Sequence, residues 1–203
     1  MHIQKEIKMN ELKLMERIKS ELSEERYVHS IGAMESAAFL AFKNGVDAQK
    51  ARIAALLHDC AKELPLYDML CKAHRYKVAI DEVSMREIVL IHGPLGAKIA
   101  EHEYGIKDQE ILDAIECHTT GKNNMTKLDK IIYISDYIEP YRDFEGVSEL
   151  RRMVMEDLDV AVRFALDFTI TDLLNTGKLI HPRTLEARNY MIIYEAEGQV
   201  RCP

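Results

Sequence analysis

The chain has 203 residues, enough for one domain with a hydrophobic core, and at 47% hydrophobic and 30% charged it reads as soluble and globular. Its formal net charge of −7 excludes a global basic field for nucleic acid or an anionic membrane, so an anionic substrate has to be attracted locally. The four cysteines (Cys60, Cys71, Cys117, Cys202) form no CxxC pair, and the start MHIQKEIKMNELKLMERIK lacks the apolar stretch of a signal peptide. No apolar run approaches the ~18 residues of a membrane span, so the expectation is a cytoplasmic protein with free thiols.

The pattern is helical nearly throughout. Leu12, Met15, Ile18 and Leu22 recur at three- and four-residue steps, as one face of a helix does. Ser23-Glu24-Glu25 offers an N-cap and an acidic first turn, and the helix that follows runs to a stop at Asn44-Gly45. Asp47 caps a helix predicted from Ala48 to about Asp59. Pro65 suits the first turn of the next, through Tyr67, Leu70 and Ala73. Gly93-Pro94 precedes a helix reaching about Glu103, Asp108 caps one through Cys117, and Thr126 opens one over Lys127–Ile138 that Glu139-Pro140 stops. Ser148 to Leu174 carries apolar residues at helical spacing and reads as one long element ended by Asn175-Thr176-Gly177; Pro182 turns into a last helix from about Thr184. With no sustained alternation, repeat or low-complexity linker, the expectation is one all-α domain. It has an N-terminal helix over 1–22 packed on a body at 23–195, and a tail at 196–203.

Five strings carry the chemistry: RYVHSIGAMESA with His29, ARIAALLHDCAKELP with His58-Asp59, IVLIHGPLGA with His92, AIECHTTG with His118 and IIYISDYIEP with Asp136. A lone histidine or a His-Asp dipeptide is weak, and a core histidine with a satisfied partner is the commoner case. The order His, His-Asp, His, His, Asp on successive helices is far more specific. Imidazole nitrogen with carboxylate oxygen suits Fe, Mn, Zn, Co or Ni better than Ca or Mg alone. A helical bundle can gather such ligands in its interior. His2, His74 and His102 sit in polar surroundings and do not join the pattern.

These strings, with DKIIYISDYIEPYRDFEG and the tail LIHPRTLEARN, resemble the HD superfamily of metal-dependent phosphohydrolases, and more narrowly its YqeK-type symmetrical bis(5'-nucleosyl)-tetraphosphatases; the resemblance spans about residues 26–189. It implies an all-α HD-domain helical bundle, iron as one or two ions per chain with manganese, cobalt or another divalent metal as substitutes, and cleavage of diadenosine tetraphosphate into two ADP. The family's metal ligands fall on His29, His58, Asp59 and Asp136, and His92 and His118 match positions associated with a second metal or with the phosphates.

The chemistry so implied is attack of a metal-activated water on an anhydride phosphorus. Asp59 is expected to orient that water and Lys62, one turn after His58, to meet a phosphate. Arg26, Glu63, Arg142, Arg183 and Arg188 join the expected substrate contacts, as do His29, His92, Gly93 and Thr119-Thr120-Gly121. Ile138 and Glu139 at one end, and Leu179, Ile180 and His181 in the tail, are expected to meet adenine or ribose. The expected partner is a dinucleoside polyphosphate or an ADP- or GDP-like nucleotide, with no nucleic acid and no membrane, and a homodimer is allowed. Three other readings share these residues: an HD phosphohydrolase of other specificity (nucleoside monophosphatase or phosphodiesterase), a non-catalytic nucleotide sensor, and a structural bundle with buried His–Asp pairs.

Overall fold

A computed structural model describes residues 2–199, with side chains placed for 11–194. Among them every regular element is helical: α1 (His2–Glu21), α2 (Glu24–Asn44), α3 (Ala48–Leu57), α4 (Leu66–Arg75), α5 (Glu82–Arg86), a 3-10 helix (Ile88–Ile91), α6 (His92–His102), α7 (Gln109–Cys117), α8 (Lys127–Ile138), α9 (Val147–Glu156), α10 (Leu158–Asn175) and α11 (Pro182–Gln199). No helix among the described residues is long and apolar enough to cross a membrane.

Local chemistry sets most of the boundaries. The Ser23 hydroxyl accepts from the Arg26 N–H, and the Asp47 carboxylate from those of Gln49 and Lys50, satisfying donors that the first turn of a helix leaves free. Thr126 and Asp129 form a reciprocal capping box at the start of α8, and Gly45, at φ 69°, closes α2 in the left-handed conformation.

Four expectations change. Helix α3 ends at Leu57 rather than near Asp59, and the chain continues in tight three-residue turns (Cys60 N–H to Leu57 O, Lys62 N–H to Asp59 O) before Pro65. Helix α6 begins at His92, so Gly93-Pro94 lies inside its first turn, where proline's missing N–H costs nothing. The stretch from Ser148 to Leu174 is two helices, broken at Asp157, whose backbone is extended at φ −147° and ψ 119° and whose carboxylate caps Asp159 and Val160. Helix α5 and the 3-10 helix were not foreseen, because elements this short carry too little periodicity to register. Residues 196–199 continue α11, and the rest of the expected tail lies outside the described residues.

The core centres on α2, α3, α7 and α8: α2 packs on α3 and α8, and α7 on α3, α6 and α8. Leu56, Leu57, Ile115, Ile131 and Tyr133 are fully buried between them. Helix α1 lies on α2 and α3, with Ile18 in the core, and α10 covers α8 through Ala161, Val162, Ala165 and Leu166. This packing turns the helix positions bearing His29, His58, His118 and Asp136 toward one another.

Candidate metal centre

His29 lies in the second turn of α2, His58 and Asp59 just after α3, His92 at the first residue of α6, His118 just after α7, and Asp136 in the last turn of α8. Their donor atoms converge in two adjoining groups. In the first, Nε2 of His29 is 3.2 Å from Nε2 of His58 and 3.1 Å from Oδ1 of Asp136, and Oδ2 of Asp59 is 3.5 Å from both imidazole nitrogens. In the second, Nε2 of His92 is 3.0 Å from Nε2 of His118, and Oδ1 of Asp59 is 3.1 Å from the former and 3.5 Å from the latter. The Asp59 carboxylate is therefore shared, one oxygen to each group.

Proton placement makes the groups suited to cations. The Nδ1 of His58 lies 2.6 Å from the Ala55 carbonyl, that of His118 lies 2.7 Å from the Ile115 carbonyl, and that of His92 bonds the Val89 carbonyl. A carbonyl only accepts, so each Nδ1 carries the hydrogen and each Nε2 presents a bare lone pair. Nδ1 of His29 lies 3.2 Å from the Glu139 carboxylate, with the same consequence. Bare Nε2 atoms thus face one another about 3 Å apart, and Oδ1 of Asp59 is buried with no hydrogen-bond partner. Donors about 2.1 Å from a common ion lie roughly 3–3.4 Å apart, so the residues present fit divalent metal. His29, His58 and Asp136, and likewise His58, Asp59 and His118, each offer three donor atoms close enough to share an ion.

The buried charges at the centre act strongly on one another. Burial works to raise the pKa of Asp59, but the His58, His118 and His92 imidazoles hold it far below the carboxylate range. Asp136 is held low in the same way, against burial, by His29, His58 and Arg142. Burial pushes His118 down to about 4, which keeps it neutral and available as a ligand near pH 7. For His58 burial acts downward too, yet the adjacent Asp59 outweighs it and the pKa rises, so a proton competes for this imidazole and a metal ion bound there would displace it.

Three cations stand at the rim. Arg26 Nη1 is 2.9 Å and Lys62 Nζ 3.1 Å from Oδ2 of Asp59, and Arg142 pairs with the Asp136 carboxylate. Arg142 also donates to the Asp136 carbonyl at 2.8 Å. Arg151 of α9 ties down the segment that carries it, donating to the carbonyls of Ile138, Glu139 and Arg142.

The other expected site residues divide. Gly93 allows close approach of α6 to α7: a Cβ there would meet the Glu116 carbonyl at 2.8 Å and the Thr119 hydroxyl at 3.1 Å, in the contact that sets His92 beside His118. Thr119, Leu179 and His181 line a cavity of about 170 Å³ with Thr169 and Leu173, and Thr119, Thr120, His181 and Arg183 line another of about 500 Å³ with Lys77 and Lys98. Ile180, half-buried, sits beside them in the chain. Gly121, at φ 68°, closes against the Ala187 side chain of α11, so its close approach is to protein. Glu63 binds the backbone N–H and hydroxyl of Ser23 and fixes the start of α2. Ile138 faces Phe39 and Leu40, on another surface. His181 pairs with Asp81 at 2.7 Å, Arg183 with Glu116 at 3.1 Å and Arg188 with Asp167 at 2.8 Å.

Three features carry roles that the sequence does not announce. Glu139, expected against adenine or ribose, touches the His29 imidazole, Arg151 holds the corner after α8, and Phe144 and Phe168 wall a cavity of about 230 Å³ with Asp136, Tyr137 and Arg142. Only the first left a trace: an acid before Pro140, at the end of an apolar helix that already carries Asp136.

Comparison with known proteins places these observations. Residues 26–141 match the HD domain model. A symmetrical bis(5'-nucleosyl)-tetraphosphatase of Halalkalibacterium halodurans is 41% identical over 185 residues, covering 91% of this chain and 98% of that protein. One from Bacillus subtilis is 38% identical over 184 residues, with the same shares covered. The crystal structure of a "predicted HD superfamily hydrolase involved in NAD metabolism" from Clostridium acetobutylicum superposes with a TM-score of 0.87 at 43% identity, over 90% of this chain and 96% of that one.

Proposed function

The chain belongs to the HD-domain family and, within it, to the group of symmetrical bis(5'-nucleosyl)-tetraphosphatases, and from that membership we propose that it hydrolyses diadenosine tetraphosphate to two ADP at the His–Asp centre. The observation that carries the reading is the shared Asp59 carboxylate between two pairs of bare imidazole nitrogens. The nitrogen and oxygen donors suit iron, with manganese or cobalt as substitutes. His29, His58, Asp59 and Asp136 would hold one ion, and His92, His118 and the other oxygen of Asp59 a second. A divalent ion there supplies a water of lowered pKa and offsets charge on the phosphoryl oxygens.

The protein's own groups do the rest. Water attacks one of the two inner phosphorus atoms, the central bridging P–O bond breaks, and the second ADP departs as a phosphate anion that needs no strong acid. Asp59 orients the water and Lys62 and Arg26, already against its Oδ2, turn to phosphoryl oxygens. Arg142 meets the chain of phosphates from the Asp136 side. Beside it, the cavity walled by Tyr137, Phe144 and Phe168 offers apolar ring faces for an adenine, and the one at Leu179 and Leu173 offers aliphatic surface for the other end.

The test is a nucleotide panel with metal-loaded protein. Diadenosine tetraphosphate should be turned over fastest, to ADP alone. Inertness on it beside rapid hydrolysis of nucleoside monophosphates or cyclic nucleotides would reject the specificity and keep the HD chemistry. Tight nucleotide binding with no turnover of any substrate would make the protein a sensor.

A further inference from the structure

Of the four imidazoles in the centre, three rest Nδ1 on a backbone carbonyl three residues earlier; His29 alone rests it on a carboxylate, that of Glu139. A buried carboxylate is costly to place unless its oxygens are engaged. Glu139 is 2% exposed, and both oxygens are used: Oε1 faces His29 Nδ1 at 3.2 Å and Oε2 accepts the Tyr141 N–H at 2.8 Å.

The placement follows from the chain. Pro140 disfavours helical backbone at the residue before it, and Glu139 accordingly leaves α8 extended, at φ −54° and ψ 153°. Arg151 then grips the Glu139 carbonyl at 2.7 Å. The corner fits against α2 because residue 32, one turn after His29, is glycine: a Cβ there would stand 2.7 Å from Oε2 of Glu139 and 3.2 Å from the Pro140 ring. Gly32 is helical, so its role is clearance rather than backbone freedom.

We propose that Glu139 is a positioning residue for the first metal site, fixing the tautomer and ring direction of His29 and raising its strength as a ligand, and that Gly32 gives Glu139 the room to do so. Carboxylate partners of this kind make a ligand imidazole more basic and typically carry about 10–100-fold in metal affinity. The second site, with carbonyl partners only, does not share the device. The two sites therefore differ in kind, and the first holds its ion more strongly than its ligand count alone gives. This rests on the two-site reading of the centre and not on the identity of the substrate.

The experiment is calorimetric titration of metal-stripped protein with Mn2+, alongside the absorption spectrum of the Co2+-loaded form. Glu139→Ala should weaken one ion about 10–100-fold, leave the other unchanged and alter the Co2+ spectrum. Glu139→Gln, which keeps an acceptor for Nδ1–H but loses the charge, should fall between Glu139→Ala and the parent. Gly32→Ala should reproduce the same selective loss. Two results would overturn the proposal: affinities within twofold of the parent for both ions in Glu139→Gln and Gly32→Ala, or equal weakening at both sites. The near-isosteric glutamine decides the matter if the alanine variant does not fold. None of these readouts requires turnover, so they stand or fall apart from the nucleotide reading.

Discussion

Asp59 reaches both pairs of imidazoles and also accepts from Arg26 and Lys62, so its charge is used four ways in a buried site. Asp59→Asn keeps the volume and replaces one acceptor oxygen with an amide that only donates. It should cut kcat by about 10²–10³-fold, the scale on which a site's own electrostatic groups act, and lower the bound metal measured by elemental analysis. Hydrolysis at the parent rate would sink the assignment. Lys62→Ala is a milder test. A charge-assisted hydrogen bond is worth roughly 1.5–3 kcal/mol, so kcat/KM should drop about 10–100-fold while the metal content stays that of the parent. A loss of metal would instead place Lys62 in the upkeep of the site. At this scale the candidate ligands were legible because histidine and aspartate beside apolar residues are conspicuous. Glu139 was only half legible. Its place before Pro140 put it near the site, but its role depends on which nitrogen of His29 carries the proton, which only a neighbouring acceptor reveals. Glu63 is the converse case: its partner, Ser23, lies forty residues back and nothing local announces the contact.

Helices are set by their ends as much as by their faces, and the two breaks the periodicity concealed are the clearest cases. Asp157 closes α9 with its backbone and opens α10 with its side chain, so the apolar pattern runs on through a one-residue interruption. Asp157→Ala should destabilise the protein by about 1–2 kcal/mol in urea unfolding and leave activity per folded molecule unchanged. A change in KM would mean that the break itself shapes the site. Asp81 plays the same part for α5 and also pairs with His181 at the entry to α11. Its pKa is lowered to about 2, first by the Ser84 N–H, with burial opposing and His181 adding to the fall. The folded value lies below the unfolded one, about 3.9. Its contribution is therefore present in full above pH 4 and lost as the pH falls from there toward 2. Asp81→Asn, which caps without the charge, should melt lower than the parent at pH 5, and the gap should narrow below pH 4 and close near pH 2. A gap that holds across that range would show that the charge contributes nothing. The ends marked by Ser23, Asp47, Asp108 and Thr126 were readable in advance because each cap is written within three residues of the helix it opens.

The whole molecule is arranged so that the ends of α2, α3, α6, α7 and α8 deliver histidine and aspartate side chains to one point, a costly concentration of polar groups that a bound cation would relieve. Metal should thus stabilise the fold: an ion at about a hundred times its dissociation constant adds roughly 2.7 kcal/mol, seen as a higher melting temperature that a chelator reverses. A melting temperature indifferent to metal would favour a structural bundle. That all-α architecture was legible from periodicity and caps, and the convergence of the five strings from their order. What the chain alone did not disclose is that one carboxylate serves both halves of the centre, because that is a matter of how α3 ends against α6 and α7. The central claim, hydrolysis at the middle of the tetraphosphate by water under metal control, is tested most directly by turnover of diadenosine tetraphosphate in 18O-labelled water. The account predicts ADP alone, one labelled oxygen for each pair of molecules formed, and no reaction after the metal is stripped; AMP with ATP as products, or undiminished turnover by metal-free protein, would contradict it.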